Sequence, residues 1–273
     1  MRVTMNRQSD TVSKLAPIAK AGYFTKGVLY LCIGGVSLMA GIKGRGLAPE
    51  GTEGVMQLLA AQPFGAVLLS LVAAGLCAYA LWRLLQALYN PLSNDAGDGR
   101  IKNIVKRIGY GLNGIFHLGL GFLAFQTLAG VGGGDVRSYV RTTMSAEGGK
   151  ALIVGVAVGV AIAAILQVYK AATTDFRQEV DTGRMDPKTE TLVVSLGRIG
   201  LAARAVVFGI IALFLYRAGA TGNADKAKET GDALTHLARQ PYGLTLLSIV
   251  AIGLAAYGVF MLITARYLRV RAA

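Results

Sequence analysis

Long apolar blocks, separated by short polar stretches, organise this chain. Six blocks run roughly Gly22–Ile42, Phe64–Leu88, Ile108–Gly130, Ala151–Tyr169, Leu196–Tyr216 and Tyr242–Thr264, and none contains Asp or Glu. A helix crossing about 30 Å of hydrocarbon needs about 20 mostly apolar residues, and each block reaches or nearly reaches that length. Lipid offers backbone N–H and C=O groups no partner, so helix is the open-chain solution. The alternating ten-residue strands of a membrane barrel are absent. The pattern predicts an all-α polytopic membrane protein with six transmembrane helices. Apolar spacing before the even blocks (Val55-Leu58-Leu59, Val136-Tyr139-Val140, Leu234-Leu237) predicts short interfacial helices. Gln62-Pro63 and Gln240-Pro241 would then open the next span, since proline tolerates a first helical turn.

The blocks repeat. AGYFTKGVLYLCIGG from Ala21, IGYGLNGIFHLGLGF from Ile108 and IGLAARAVVFGIIAL from Ile199 align Gly22, Gly109 and Gly200. They also align Lys26 with Asn113 and Arg204, and Tyr30 with His117 and Phe208. AAQPFGAVLLSLVAAGLCAYALW from Ala60 matches ARQPYGLTLLSIVAIGLAAYGVF from Ala238, pairing Gly75 with Gly253 and Tyr79 with Tyr257. The middle copy is more diverged: its second helix carries Gly149, Gly155 and Gly159, and the Gln-Pro pair is missing. The chain reads as one transmembrane domain, residues 1–273, of three units over 15–90, 100–176 and 191–269. Each unit is expected to be a helical hairpin. With two spans per unit, all three share one orientation, and a pseudo-threefold axis along the membrane normal is expected.

Composition agrees: 53% of residues are hydrophobic and 16% charged, against about 25% charged in soluble domains. That excludes disorder, and two cysteines, Cys32 and Cys77, exclude a disulfide scaffold. Nineteen of the 28 Lys and Arg residues fall on the side of the two termini. By the positive-inside rule both ends are cytoplasmic, in a bacterial inner membrane. The net charge of +13 is then a topology signal with anionic lipid headgroups as its partner, and nucleic acid is not expected. The apolar block from Val28 has no A-x-A site and is not read as a cleaved signal. Trp82, Tyr89, Tyr169 and Tyr267 stand at cytoplasmic span ends as aromatic anchors. The mixed-charge loop Lys170–Ser195 reads as a solvated connector.

The stretches GYFTKGVLY, QPFG with LLSLVAAGLCAYALWRL, QVYKAATTDF from Gln167 and GRIGLAARAVVFG from Gly197 resemble a bacterial membrane-protein family catalogued as a domain of unknown function, DUF1206. The resemblance spans Ala19 to about Arg266. It implies three tandem two-helix units in a membrane and brings no activity or site residues.

Candidate chemistry sits on the odd helices. Four-residue spacing places Gly22-Lys26-Tyr30, Gly109-Asn113-His117 and Gly200-Arg204-Phe208 each on one face. If the faces meet, Lys26, Arg204 and Asn113 form a donor-rich pocket for an anionic group, with Tyr30 and His117 deeper. The alternative is that Lys26 and Arg204 snorkel to headgroups. Gly22, Gly109, Gly200 and the Gly155-x3-Gly159 ridge are candidate helix-packing sites, the ridge read as internal packing ahead of dimerisation. No metal site is expected, because Cys32, Cys77 and His117 lie on separate helices. Haem is not expected either, because His236 lies in an outer loop. No G-x-S-x-G, H-E-x-x-H or Walker loop is present. The reading is a non-enzymatic protein that binds lipid or a small ligand, or scaffolds a membrane partner. The rival is a small transporter or channel along the axis, disfavoured by the lack of an intramembrane acid.

Overall fold

The computed structural model describes residues 16–43, 49–89, 100–130 and 136–268. Arg2, Arg7, Lys14, Arg45, Arg269 and Arg271 of the charge count lie outside the described residues. Among the described residues nine α-helices follow one another: α1 (Ala16–Lys43), α2 (Thr52–Ala60), α3 (Gly65–Tyr89), α4 (Arg100–Leu128), α5 (Val136–Ser145), α6 (Gly149–Thr173), α7 (Pro187–Thr221), α8 (Thr230–Ala238) and α9 (Gly243–Arg266). Six of them, α1, α3, α4, α6, α7 and α9, are long and apolar enough to cross a membrane. Large apolar side chains such as Ile115, Phe122 and Ile165 stand on the outside, while Lys26, Arg83, His117 and Arg204 are buried. That inversion suits a chain whose solvent is lipid.

Local chemistry explains the ends. α7 begins well before Leu196 because the Asp186 side chain accepts from the backbone N–H groups of Lys188 and Thr189, both at 3.0 Å, and Pro187 opens the helix. The expected interfacial helices form as α2, α5 and α8. Each leads into the next span through one residue in the left-handed region: Phe64 (φ 63°), Gly148 (φ 73°) and Tyr242 (φ 58°). Pro63 and Pro241 sit in this elbow, one residue earlier, rather than in the first turn of the span.

The elbow sets a common register for the even spans. Counting from it, Tyr79, Ala163 and Tyr257 are equivalent, as are Arg83, Gln167 and Met261. Helix packing follows the same pattern. The most extensive contacts join α9 to α1, α6 to α7 and α3 to α4, and lesser ones join α9 to α7 and α1 to α3. Glycines allow the closest approaches: a Cβ at Gly34 would stand 2.6 Å from the Ala255 nitrogen, and one at Gly27 would stand 2.9 Å from the Gly258 carbonyl oxygen. Close backbone approach of this kind drives helix association in lipid.

The packing order is therefore α4, α3, α1, α9, α7, α6, and α4 and α6 do not pack as a pair. Units one and three are hairpins, but the middle unit is not. Its two spans lean on the neighbouring units, α4 on α3 and α6 on α7.

The connector after α6 is not a solvated loop. It runs through two 3₁₀ turns, Asp175–Glu179 and Thr182–Arg184, with Phe176 and Val180 buried. Val180 pairs with Leu268 in an antiparallel bridge, and the Asp181 N–H donates to the Tyr267 carbonyl at 2.8 Å. Trp82 is likewise no interfacial anchor: it is buried in a cluster with Tyr23, Tyr79 and Phe260. Tyr89 and Tyr169 are exposed at span ends, as expected of anchors.

Candidate functional site: a buried cationic and aromatic cluster

Two tight glycine contacts build the cluster. A Cβ at Gly22 would stand 2.5 Å from the Tyr79 backbone, and one at Gly200 would stand 2.6 Å from that of Tyr257. Only glycine lets the spans close so far, and the closure seals Lys26 and Arg204, one turn further on, inside the bundle. Lys26 is 2% exposed and Arg204 7%. Both charged ends are thus enclosed by protein rather than extended along the outside, against the snorkelling alternative.

Lys26 Nζ donates to Tyr79 Oη at 3.0 Å and lies 4.3 Å from that ring's centroid. Arg83, one turn beyond Tyr79 on α3, donates from Nε to the same oxygen at 2.8 Å. Its two terminal nitrogens fork onto Glu179 at 3.1 and 3.0 Å, and Tyr23 Oη donates to the same carboxylate at 2.7 Å. Arg204 is held mainly by ring faces: its guanidinium carbon is 4.4 Å from the centroid of Tyr257, 4.9 Å from Phe208 and 5.2 Å from Tyr30. A desolvated cation over a ring gains about 2 kcal/mol. Tyr30 packs edge-on against Tyr257 at 4.8 Å, and His117 against Tyr79 at 4.6 Å.

Burial alone would raise the Glu179 pKa. The Arg83 guanidinium overrides it, helped by the Lys170 charge and the hydrogen bonds from Arg83 and Tyr23, and holds the carboxyl at about 2. Glu179 is therefore a carboxylate at neutral pH and is forked by Arg83, while neither Lys26 nor Arg204 has an ion pair among the described residues. Charge matching is incomplete, and so is hydrogen bonding: Arg204 Nε, Asn113 Oδ1 and both amide atoms of Gln167 are buried without a partner among the described residues.

Among the residues singled out from sequence, Lys26, Tyr30 and Arg204 come together, and His117 joins them through Tyr79. Asn113 contributes its main-chain oxygen to His117 Nδ1 at 2.8 Å. Of the packing glycines, Gly22 and Gly200 pack as expected, but Gly109, Gly155 and Gly159 do not. A Cβ at any of those three would meet nothing within 4 Å, so the expected internal ridge is not one. His236 lies on α8 against Phe214, apart from His117. No group of three metal-ligating side chains gathers among the described residues.

Sequence reasoning missed Arg83, Glu179 and Gln167. Arg83 had a signal: it is a charge inside a predicted span, one turn after a repeat-matched tyrosine. Glu179 had only a faint one, an acid bracketed by Phe176 and Val180. The predicted apolar blocks contain no acid, yet the folded loop delivers one to their ends.

The family model described as Domain of Unknown Function (DUF1206) matches residues 21–90, 108–174 and 199–268. The chain belongs to the DUF1206 family. The three matched segments accord with the repeat, and each DUF1206 segment contains one odd and one even span. The Uncharacterized protein YxxB of Bacillus subtilis (strain 168) is 28% identical over 262 residues, covering 95% of this chain and 94% of that relative. No solved structure matches. The family and the six apolar helices make this an integral, multi-pass membrane protein.

Proposed function

We propose that this protein sits in the bacterial cytoplasmic membrane with both ends cytoplasmic, and that it is a non-enzymatic binder of an anionic group at the Lys26, Arg83 and Arg204 cluster. One observation carries the reading: Lys26, Arg83 and Arg204 are buried close together, only Arg83 of the three has an ion pair among the described residues, and donors and acceptors beside them are left unpaired. A buried cation is costly unless matched, so a phosphate-type anion would stabilise the site more than water does. Arg204 offers a planar fork suited to such oxygens.

Trp82, the only tryptophan, is buried in the aromatic cluster that includes Tyr79 and reports on the site. Titrating glycerol phosphate into the detergent-solubilised protein should change its fluorescence saturably. The response should weaken with salt and be lost in Lys26→Met with Arg204→Met. An unresponsive wild-type protein, or a response indifferent to both substitutions, refutes the reading.

The transporter reading gains one argument from Glu179, which supplies the acid that the spans lack. Phosphate flux into liposomes that is lost on Glu179→Gln would favour it over static binding.

A further inference from the structure

The cluster is closed: Lys26 and Arg204 are buried, so an anion reaches them only if part of the fold moves. The spans are poor candidates for that movement. They meet backbone to backbone where Gly22 packs on Tyr79 and Gly200 on Tyr257, and a Cβ at either glycine has no room. The connector between α6 and α7 is a better one. It is built of short 3₁₀ turns, and its Glu179 is the acid that Arg83 holds. The Glu179 side chain is 13% exposed and that of Arg83 9%, so solvent already touches both partners.

The contacts of Glu179 are those of a bound ligand. Arg83 Nη1 and Nη2 fork onto its two oxygens, and Tyr23 Oη donates to Oε2. These donors, from α3 and α1, form a seat for an oxyanion, and such a fork fits carboxylate and phosphate alike. The seat adjoins a cation that has no ion pair: Arg83 Nε and Lys26 Nζ donate to the same atom, Tyr79 Oη, at 2.8 and 3.0 Å. Other ties of the connector include the Phe176 ring on Gly197, the Val180–Leu268 bridge and the partly exposed Arg177–Glu190 pair. Exposed pairs contribute little, so the buried Glu179 pair is the principal polar fastening of this segment.

We infer that Glu179 is an internal ligand that a phosphate monoester displaces. The incoming phosphate takes the Arg83 and Tyr23 donors, the carboxylate leaves the seat, and the connector loosens to open the way to Lys26 and Arg204. The inference rests on the binding reading above and adds its regulation. A carboxylate brings one negative charge, enough for Arg83 alone. A phosphate monoester brings nearly two, with a third acceptor oxygen, and so matches Arg83 and Lys26 together. The connector is hydrophilic, with Arg177 and Arg184 exposed, so the ester enters from water. While the carboxylate is seated, apparent affinity is lowered in proportion to the fraction of molecules whose seat is free.

Trypsin cleavage of the connector in the detergent-solubilised full chain tests the displacement without any substitution. Glycerol phosphate should speed cleavage saturably, with the midpoint of the Trp82 fluorescence titration. Binding that leaves Glu179 seated would slow cleavage or leave it unchanged, and either result overturns the inference. Glu179→Gln should bind glycerol phosphate at least about tenfold more tightly than wild type, and its cleavage should no longer respond. Glu179→Asp keeps the charge but shortens the reach, and should also bind more tightly. Wild-type affinity in a folded Glu179→Asp protein makes Glu179 a mere nearby charge and overturns the displacement. Phosphatidic acid in the micelle presents the same phosphate from the apolar side, and a response to it alone overturns entry from water. Fluorescence silent to glycerol phosphate in the wild-type protein overturns the binding reading, whereas a normal titration with unaltered cleavage overturns only the displacement.

Discussion

Replacing Glu179 with Gln removes the carboxylate that ties the connector to α1 and α3. In the native protein that carboxylate accepts two hydrogen bonds from Arg83, at 3.1 and 3.0 Å, and one from Tyr23 at 2.7 Å. Its side chain is 13% exposed and that of Arg83 9%, so solvent screens the pair little. Gln keeps one acceptor oxygen but turns an N–H₂ toward Arg83 or Tyr23, and leaves the buried Arg83 guanidinium without its counter-charge. Breaking a buried pair by removing one partner costs about 3–5 kcal/mol. For a domain of this size that corresponds to a fall in melting temperature of roughly 6–20 °C. The connector should also lift from its site, freeing the backbone at the already exposed Arg177 and Arg184 for cleavage by trypsin. Differential scanning fluorimetry in detergent and time-resolved proteolysis read both effects. The reasoning fails if Glu179→Gln melts within about 2 °C of wild type and its connector is cut no faster.

The same carboxylate predicts a pH dependence. Its folded pKa of about 2 lies below the 4.5 of a free glutamate, so the stabilisation is present above 4.5 and is lost as pH falls toward 2. The shift corresponds to about 3 kcal/mol, and the acid-side loss of stability should be missing in Glu179→Gln. Gly200→Ala must displace the Tyr257 backbone and should destabilise by more than about 2 kcal/mol. Gly155→Ala meets open space in a helix and should be neutral or stabilising by about 0.5–1 kcal/mol, and thermal melts separate the two. Asp186→Ala removes the cap of α7 and should lower the melting temperature far less than Glu179→Gln, although both acids lie on the same connector.

The spans, the repeat and the interfacial helices were legible in the sequence because each depends on local quantities: apolar length against bilayer thickness, and four-residue spacing against the helical turn. The face carrying Lys26 and Arg204 was legible for the same reason. Whether those cations reach headgroups or lie buried was not, since that depends on how closely α3 and α9 approach, and Tyr79 and Tyr257 lie more than fifty residues from the glycines they meet. Glu179 read as one acid in a hydrophilic loop until tertiary structure folded the loop onto Arg83. The hairpin expected of the middle unit failed for a related reason. Internal repetition predicts equivalent contacts, but each contact needs both partners, and Ala163 withdraws one of them. Hydropathy along a chain records how each side chain divides between water and lipid. Which polar groups end up enclosed is decided by pairings between distant segments.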